Sequence, residues 1–460
     1  MTALTSPPPS VQITAPGVPT TWPTPRRMRA CLVLIWIGAA LLLLVGETTL
    51  NRARGATKTI QSDAAPSIIA ALEIRALLAD LDANAANYLL DSVEHSAQTS
   101  QAFETQRIKA ATRLVESAQN ITYGDAEKQP IVAIATDIGR YLELYGEAHY
   151  RHDAKDVVGA IATYRQATDL MHTKILPAAE ALDKANKDMM NEVYDAQASA
   201  SRGSEALAVI TGGVLGFVLL WTQLFLFRRT RRIVNVPLLV ATVLVAVFSG
   251  YLITRFGAAR ADLKLAKEDA FESIHTLWKA RAIAYDANGD ESRYLLDLER
   301  ERLYADAFKA KISQLTTVPE FPASYANEVM RLKSGKHVAA RGLFADEFNN
   351  ITFDGEREAA IAMAKTFAAY YSIDVQMRAL QQKGDHVGAI RLCLGRSNDE
   401  FARFDAATTE VIRLNMDVFQ RVLSDGDRGL KNAEWLDPFF AIAIALLAFF
   451  GIRARLREYR

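Results

Sequence analysis

Four apolar runs divide this sequence, and they constrain the fold of everything between them. Residues 206–227 and 233–254 contain no charged side chain, and residues 29–46 and 435–452 are almost as apolar. A helix needs about 20 apolar residues to cross the hydrocarbon core of a bilayer. The sequence therefore predicts four transmembrane helices at these positions, of which the fourth is the shortest apolar run.

Arginines mark alternate ends of these runs and set their predicted orientation. They precede or begin the first run, join the second to the third, and follow the fourth: Arg26, Arg27, Arg29; Arg228, Arg229, Arg231, Arg232; Arg453, Arg455, Arg457, Arg460. Short, positively charged segments stay in the cytoplasm. We therefore predict a multi-pass plasma-membrane protein with both termini cytoplasmic and with residues 47–205 and 255–434 extracytoplasmic. The four arginines of residues 228–232 mainly fix this topology and meet anionic lipid head groups; contact with a cytoplasmic partner is their predicted second role.

The predicted cytoplasmic segments are short. Residues 1–28 are rich in proline and predict a disordered tail, residues 228–232 form a hairpin loop, and residues 453–460 form a basic tail. The chain has 53 basic and 53 acidic residues, a balance that disfavours a nucleic-acid-binding protein. Because the sequence contains no nucleotide-binding, metalloprotease or hydrolase motif, we predict neither an enzyme nor a cofactor or metal site.

The two predicted extracytoplasmic segments are copies of one module, here named the first repeat (residues 47–205) and the second repeat (residues 255–434). IRALLADLDANAANYLLD, residues 74–91, aligns without a gap with ARAIAYDANGDESRYLLD, residues 280–297. DVVGAI at residues 156–161 likewise matches DHVGAI at residues 385–390. The spacing between these matches is larger in the second repeat, which predicts an insertion between residues 316 and 356.

Apolar residues recur within each repeat at helical spacing, as at Ile131, Ile134 and Ile138. The pattern predicts four helices per repeat, which can bury their apolar faces only against one another. The predicted fold is all-α, with four transmembrane helices and two four-helix bundles. Pro66 and Pro177 are expected to kink the first and last helices of the first bundle.

The first helix with its YLLD ending and the last helix with ILPAAEALDKAN (residues 175–186) carry a family resemblance. Each repeat resembles the ligand-binding ectodomain of methyl-accepting chemotaxis receptors. The four-span arrangement is also similar to an actinobacterial membrane relay, and that resemblance implies two partners. These partners are a solute-binding lipoprotein that binds amino acids outside the membrane and a soluble Ser/Thr protein kinase inside.

Matched polar residues on the first helix of each repeat are the candidate ligand site. An Arg and an Asp among Leu and Ala need partners if they are buried, and Arg can clamp a carboxylate. The functional interpretation is a site for a small zwitterionic or anionic ligand, and the alternative is an inter-helix salt bridge that sets the register of the bundle. The predicted residues are Arg75, Asp80 and Tyr88, with their counterparts Arg281, Asp286 and Tyr294.

Gly212 and Gly216 form a GxxxG pattern in the second apolar run. Small residues let helices approach closely in lipid, so this pattern favours packing among the four spans or between protomers of a homo-oligomer.

The favoured function is a sensor that receives an extracytoplasmic signal and passes it to a separate cytoplasmic effector such as a protein kinase. The alternative is a non-switching scaffold of the cell envelope. A transporter is disfavoured because the two clearest spans carry no ionisable residue.

Overall fold

The chain is helical almost throughout in the computed structural model, which describes residues 24–91, 96–122, 124–230, 235–317, 325–431 and 433–457. These residues contain no β-strand; an isolated antiparallel bridge joins Thr317 and Arg341. The predicted all-α fold is confirmed. Four helices are long and apolar enough to cross a membrane, as the apolar runs predict.

Helices follow one another with short connections. The first half contains α1 (Thr24–Thr59), α2 (Ala65–Leu90), α3 (Ser96–Gln119), α4 (Asp125–Asp153), α5 (Val157–Leu170) and α6 (Leu176–Thr230). The second half contains α7 (Val236–Lys264), α8 (Glu272–Leu296), α9 (Glu301–Leu315), α10 (Tyr325–Lys333), α11 (Leu343–Asn349), α12 (Glu356–Gln382), α13 (His386–Leu392), α14 (Asn398–Lys431) and α15 (Ala433–Leu456). The second repeat therefore has three helices, α9 to α11, where the first repeat has α3.

The helices form two compact units. The span unit consists of Met1–Glu47, Glu205–Thr254 and Glu434–Arg460, and the bundle unit consists of Thr48–Ser204 and Arg255–Ala433. Both repeats lie in the bundle unit. There α2 of the first repeat and α8 of the second pack extensively against each other.

Each repeat has its own apolar core within the bundle unit. Ile74, Leu78 and Tyr145 are buried in the core of the first repeat. The core of the second repeat is richer in phenylalanine and includes Phe308, Phe344, Phe348, Phe367, Phe401 and Phe404. Burying one such side chain contributes roughly 1.5–3 kcal/mol, so these clusters supply the main driving force for folding each repeat.

π-helical turns interrupt the long helices in both repeats. Ile60–Ala64 and Met171–Ile175 lie just before Pro66 and Pro177 in the first repeat. A proline lacks the N–H of a regular helix and its ring crowds the carbonyl four residues earlier, which favours a widened turn. Leu265–Phe271 and Cys393–Ser397 are also π-helical without a neighbouring proline. Proline is therefore not required for a widened turn in these helices.

The motif shared by DVVGAI and DHVGAI is a helix start. Asp156 accepts a hydrogen bond from Gly159 N at 3.0 Å, and Asp385 accepts one from Gly388 N at 2.9 Å. A Cβ at Gly159 would lie 2.1 Å from Asp156 Oδ2, so a side chain there would push the capping carboxylate away. Capping by Asp stabilises a helix by about 1 kcal/mol, which explains the recurrence of both residues at this spacing.

Helices of the span unit contact one another through small residues and a few polar groups. Trp36 Nε1 donates a hydrogen bond to Ala445 O at 3.1 Å, and Asn235 Nδ2 donates one to Gly451 O at 2.9 Å. Large apolar side chains such as Phe217 and Trp221 are exposed. Exposed apolar surface of this kind suits contact with lipid.

Several sequence predictions fall at the edges of the described structure. Arg228 is exposed in α6 and Arg229 lies in the same helix, whereas Arg231 and Arg232 lie outside the described residues. The predicted disorder of the proline-rich tail falls mostly on residues 1–23, which also lie outside them. The orientation of the termini remains a prediction.

The predicted GxxxG contact can be tested because its two glycines differ. A Cβ at Gly212 would lie 2.1 Å from Ser249 Oγ and 3.1 Å from Ser249 Cβ on α7, whereas a Cβ at Gly216 would meet nothing within 4 Å of the described chain. We predict that Gly212→Val lowers the free energy of unfolding in detergent by about 1–3 kcal/mol, because overpacking forces the helices apart. Gly216→Val is the matched control and should stay near wild type. An equal loss from both variants would contradict the Gly212–Ser249 contact as the cause.

Candidate functional site

A buried arginine joins the two repeats. Arg293 on α8 is 1 % exposed, and its Nη1 donates a hydrogen bond to Asp82 Oδ2 on α2 at 2.6 Å. Its Nη2 donates to Asp290 Oδ1 at 2.7 Å and to Asp286 Oδ1 at 3.2 Å. Because an ionised group is costly to bury without partners, these carboxylates determine where Arg293 can lie.

Small residues allow α2 and α8 to approach closely enough for this contact. A Cβ at Gly289 would lie 3.0 Å from Arg293 Nη1 and 3.2 Å from Ala83 Cβ. One turn further along α8, Ser292 Oγ donates a hydrogen bond to Asn87 Oδ1 on α2. The two first helices are therefore held by direct polar contacts as well as by apolar packing.

Asp82 collects hydrogen bonds from two further helices. It accepts from Tyr141 Oη on α4 at 2.9 Å, and from Tyr164 Oη at 3.2 Å and Thr168 Oγ1 at 2.8 Å on α5. Burial, and to a smaller extent the Asp82 carboxylate, raise the pKa of both tyrosines well above its usual range. The two phenols therefore stay protonated and act as donors to Asp82.

Asp286 completes the site with two more cations. Its Oδ1 lies 2.8 Å from His172 Nε2, in the π-helical turn Met171–Ile175, and 2.8 Å from Lys311 Nζ on α9. Burial opposes ionisation of Asp286, but His172, Lys311 and Arg293 hold its pKa well below the usual range. Burial likewise opposes the charge on His172, yet Asp286 raises the pKa of that imidazole above its usual value.

These six charged residues are named the inter-repeat cluster: Asp82, Asp286, Asp290, Arg293, Lys311 and His172. Three carboxylates face two permanent cations and one histidine, so the charges balance when His172 is protonated. Around the rim, Arg165 binds Asp297 and Glu299, and Arg300 binds Asp169, again between the two repeats. The cluster resists separation of α2 from α8.

The predicted Arg/Asp pairs occupy different surroundings. Arg281 makes a bidentate contact with Asp405 on α14 at 2.5 and 2.9 Å and lies over the ring of Trp278. Burial and then the Asp405 carboxylate raise the pKa of Asp80 to about 7. Arg75 Nη2 lies 3.7 Å from Glu180 Oε2. Arg281 is thus engaged as the salt-bridge alternative describes, and a ligand role for these residues stays a prediction.

The predicted tyrosines make further separate contacts. Tyr88 Oη donates a hydrogen bond to Asp153 Oδ1 at 2.9 Å, and its ring stacks on His149. The guanidinium of Arg378 lies 4.5 Å from the ring centroid of Tyr294. Of the six predicted site residues, Asp286 is the one that the described contacts place in the inter-repeat cluster.

A search for residues that are identical in the two repeats finds Asp286 but cannot find its partners Arg293 and Asp82. In the gapless alignment Arg293 corresponds to Asn87, and Asp82 corresponds to Asn288. A bridge between two copies requires opposite charges at positions that differ, so its partners look like ordinary divergence. The available signal was Arg293 itself, a cation that replaces a neutral amide one residue before the shared YLLD.

Removing the central cation should destabilise the bundle unit strongly. We predict that Arg293→Met lowers the free energy of unfolding by about 3–5 kcal/mol, because the buried Asp82 loses its cation on α8 and the buried Asp290 loses one of its two cations. Arg300→Met is the matched control; its contact with Asp169 is partly exposed, so its loss should cost at most about 1 kcal/mol. Denaturant unfolding of the full chain in detergent, followed by circular dichroism, measures both. A similar small effect from both variants would show that the cluster is not energetically central.

The raised pKa of His172 gives a second, pH-dependent expectation. A group whose pKa is higher in the folded state stabilises folding below its unfolded pKa and loses that contribution as pH rises through the folded pKa. The stability difference between wild type and His172→Gln should therefore be largest below pH ~6.5 and shrink above it. Thermal unfolding between pH 5.5 and 9 tests this, with the exposed His337→Gln as control. A pH-independent difference would mean that His172 is neutral in the cluster.

Comparison with known proteins gives one match. Residues 56–195, all within the first repeat, match a protein family described as an actinobacterial sensor domain. No curated protein matches the chain, and no solved structure matches it. The family match and the four apolar helices together indicate a multi-pass membrane sensor, and a sensor domain suggests a non-enzymatic role.

Proposed function

We propose that this protein is a signal relay that receives an extracytoplasmic signal in its bundle unit and passes it to a separate cytoplasmic effector. The inter-repeat cluster is the observation that carries this proposal. It ties α2 to α8, and each of these helices belongs to a helical run that also contains an apolar span, Thr24–Leu90 and Val236–Leu296.

The physical route follows from that continuity. A buried ion pair with several partners has few alternative arrangements, so α2 and α8 respond to a displacement as a pair. Rigid helices transmit small translations and rotations over long distances. Along the chain, the widened turns Ile60–Ala64 and Leu265–Phe271 lie between the cluster and the apolar residues 29–46 and 233–254. π-helical turns often occur at functional sites in helices.

The proposed partners follow from the lengths of the predicted segments on each side of the membrane. The predicted internal cytoplasmic segment, residues 228–232, is too short to bury a core. We therefore propose that a soluble protein such as a Ser/Thr protein kinase reads the signal. On the other side, the signal is either a small ligand or a docked solute-binding lipoprotein.

Site-specific photocrosslinking in intact cells tests the relay and its orientation together. A photoreactive amino acid at Arg228 should crosslink to a cytoplasmic effector, and the same group at Val243, an exposed apolar position in α7, should not. The crosslinking yield at position 228 should change when Arg293→Met breaks the inter-repeat cluster. Capture of the same effector with an unchanged yield would favour the non-switching scaffold, and capture of extracytoplasmic proteins alone would contradict the proposed orientation.

A further inference from the structure

A cavity of about 180 Å³ lies within the first repeat. Residues of α2, α3, α4 and α6 line it, among them Ser67, Arg113, Ser117, Glu127 and Asn186. A single water requires only about 10–15 Å³ measured in this way, so the cavity can hold a small organic molecule. It is separate in sequence and in described contacts from the inter-repeat cluster.

Two polar groups on the cavity wall lack partners within the described structure. Asn186 is 1 % exposed, and its Oδ1 is buried without a hydrogen bond. Ser117 Oγ is likewise buried without a partner. Leaving such a group unsatisfied costs about 1–3 kcal/mol, so a molecule that supplies hydrogen-bond donors here recovers that energy.

The wall of this cavity is acidic. Glu127 is 3 % exposed, and one of its oxygens accepts a hydrogen bond from Thr122 N at 2.8 Å. Arg113 lines the cavity as well, but it is paired with Glu73 at 2.9 Å and with Glu116 at 2.8 Å. The cavity is lined by two carboxylates, Glu116 and Glu127, and by one guanidinium, that of Arg113, so its wall carries an excess of negative charge that favours a cationic occupant.

The second repeat contains the same polar set. Asn120-Ile121-Thr122 corresponds to Asn350-Ile351-Thr352, and Ser67, Glu127 and Asn186 correspond to Ser273, Glu356 and Asn415. The contacts correspond too: Asn120 Nδ2 lies 3.2 Å from Ser67 Oγ, and Asn350 Nδ2 lies 2.9 Å from Ser273 Oγ. Thr352 N donates to Glu356 Oε2 at 2.9 Å, as Thr122 N does to Glu127.

Substitutions at two polar positions of the cavity wall distinguish the repeats: Leu343 stands in place of Arg113, and Glu347 in place of Ser117. Glu347 stands three residues before Asn350, where the first repeat has Ser117 three residues before Asn120. Glu347 is buried beside Glu356 and Ser273, and burial together with the Glu356 carboxylate raises its pKa to about 8. At neutral pH Glu347 is therefore mostly a protonated acid, and it lies beside Ser273 and Glu356 without satisfying Asn415 Oδ1, which is buried without a hydrogen bond. The neighbouring Phe344 and Phe348, in place of Leu114 and Ala118, pack into the core of the second repeat.

We propose that the cavity of the first repeat binds a small organic cation with N–H donors, and that Glu347 fills the corresponding site of the second repeat. The ammonium or guanidinium group contacts Glu127 and Asn186 Oδ1, and Ser117 accepts a further hydrogen bond. Only the first repeat then responds to this class of ligand. The inference deepens the proposed sensor function, on which its signalling role rests, but binding itself can be measured independently of signalling.

Isothermal titration calorimetry on the full chain in lipid nanodiscs tests the site with ethanolamine, putrescine and methylguanidine as probes. We expect saturable binding of one equivalent for at least one of these cations and none for n-butanol. Ser117→Glu copies the side chain of the second repeat and should abolish binding. Glu127→Gln keeps an oxygen that accepts from Thr122 N but removes the charge, and should weaken binding by about tenfold or more.

Two further variants keep the test decisive. Asn186→Leu should also abolish binding, and it serves if Ser117→Glu does not fold. Glu347→Ser should create a second equivalent of binding. Absence of saturable binding of all three cations to wild type, or full binding by Ser117→Glu or Asn186→Leu, would overturn the proposal. If a cation binds but crosslinking at position 228 does not change, the binding site is supported and the relay is contradicted. If the effector crosslinks at position 228 but no cation binds, the relay is supported and the binding site is contradicted.

Discussion

The architecture of the bundle unit depends on one buried charge and the groups that neutralise it. Asp286 and Asp290 hold Arg293 from its own helix, α8, and Asp82 is its partner on α2, so the Arg293–Asp82 ion pair fixes α2 against α8. Such a cluster is weak evidence for net stability, because apolar side chains of similar volume can pack as well. Its physical consequence is specificity: no shifted arrangement of the two helices supplies the same partners. Each repeat has an apolar core of its own, so the charge determines how the repeats associate rather than whether each one folds.

Duplication explains how one module acquired two roles. The repeats keep the same capping Asp and Gly at the start of α5 and α13 and the same Ser, Asn, Glu and Asn at one end of the bundle. They differ where asymmetry is required. Position 87 of α2 is an asparagine, whereas the corresponding position 293 of α8 is an arginine. The two residues differ because an ion pair between the repeats needs a cation on one copy and a carboxylate on the other. A serine at position 117 leaves room that a glutamate at position 347 fills.

The sequence predicted the features that local periodicity and composition control. Four apolar runs and helical spacing between them were sufficient to predict an all-α fold with four apolar helices. The partners of the buried charges were not predictable in the same way, because they depend on how helices far apart in the chain dock. Arg281 and Asp405 are 124 positions apart, and Asp82 and Arg293 are 211 apart. A search for identical residues in the two repeats identifies Asp286 but passes over Arg293, whose function requires that its counterpart be different.

The positions of the cavity and the inter-repeat cluster suggest how one ligand could act on both repeats. Pro66 and Ser67 of α2 and Leu182 and Asn186 of α6 line the cavity, so an occupant contacts the first and last helices of the first repeat. The same α2 carries Asp82, which holds Arg293 of the second repeat. A ligand shifts a conformational equilibrium only by its difference in affinity between the two states. The unpartnered Asn186 Oδ1 offers such a difference, because a small change in the distance between α2 and α6 makes or breaks its contact with a bound cation. If α2 moves without α8, the buried ion pair between Asp82 and Arg293 is broken, and the cost of breaking it couples the site in the first repeat to the second repeat.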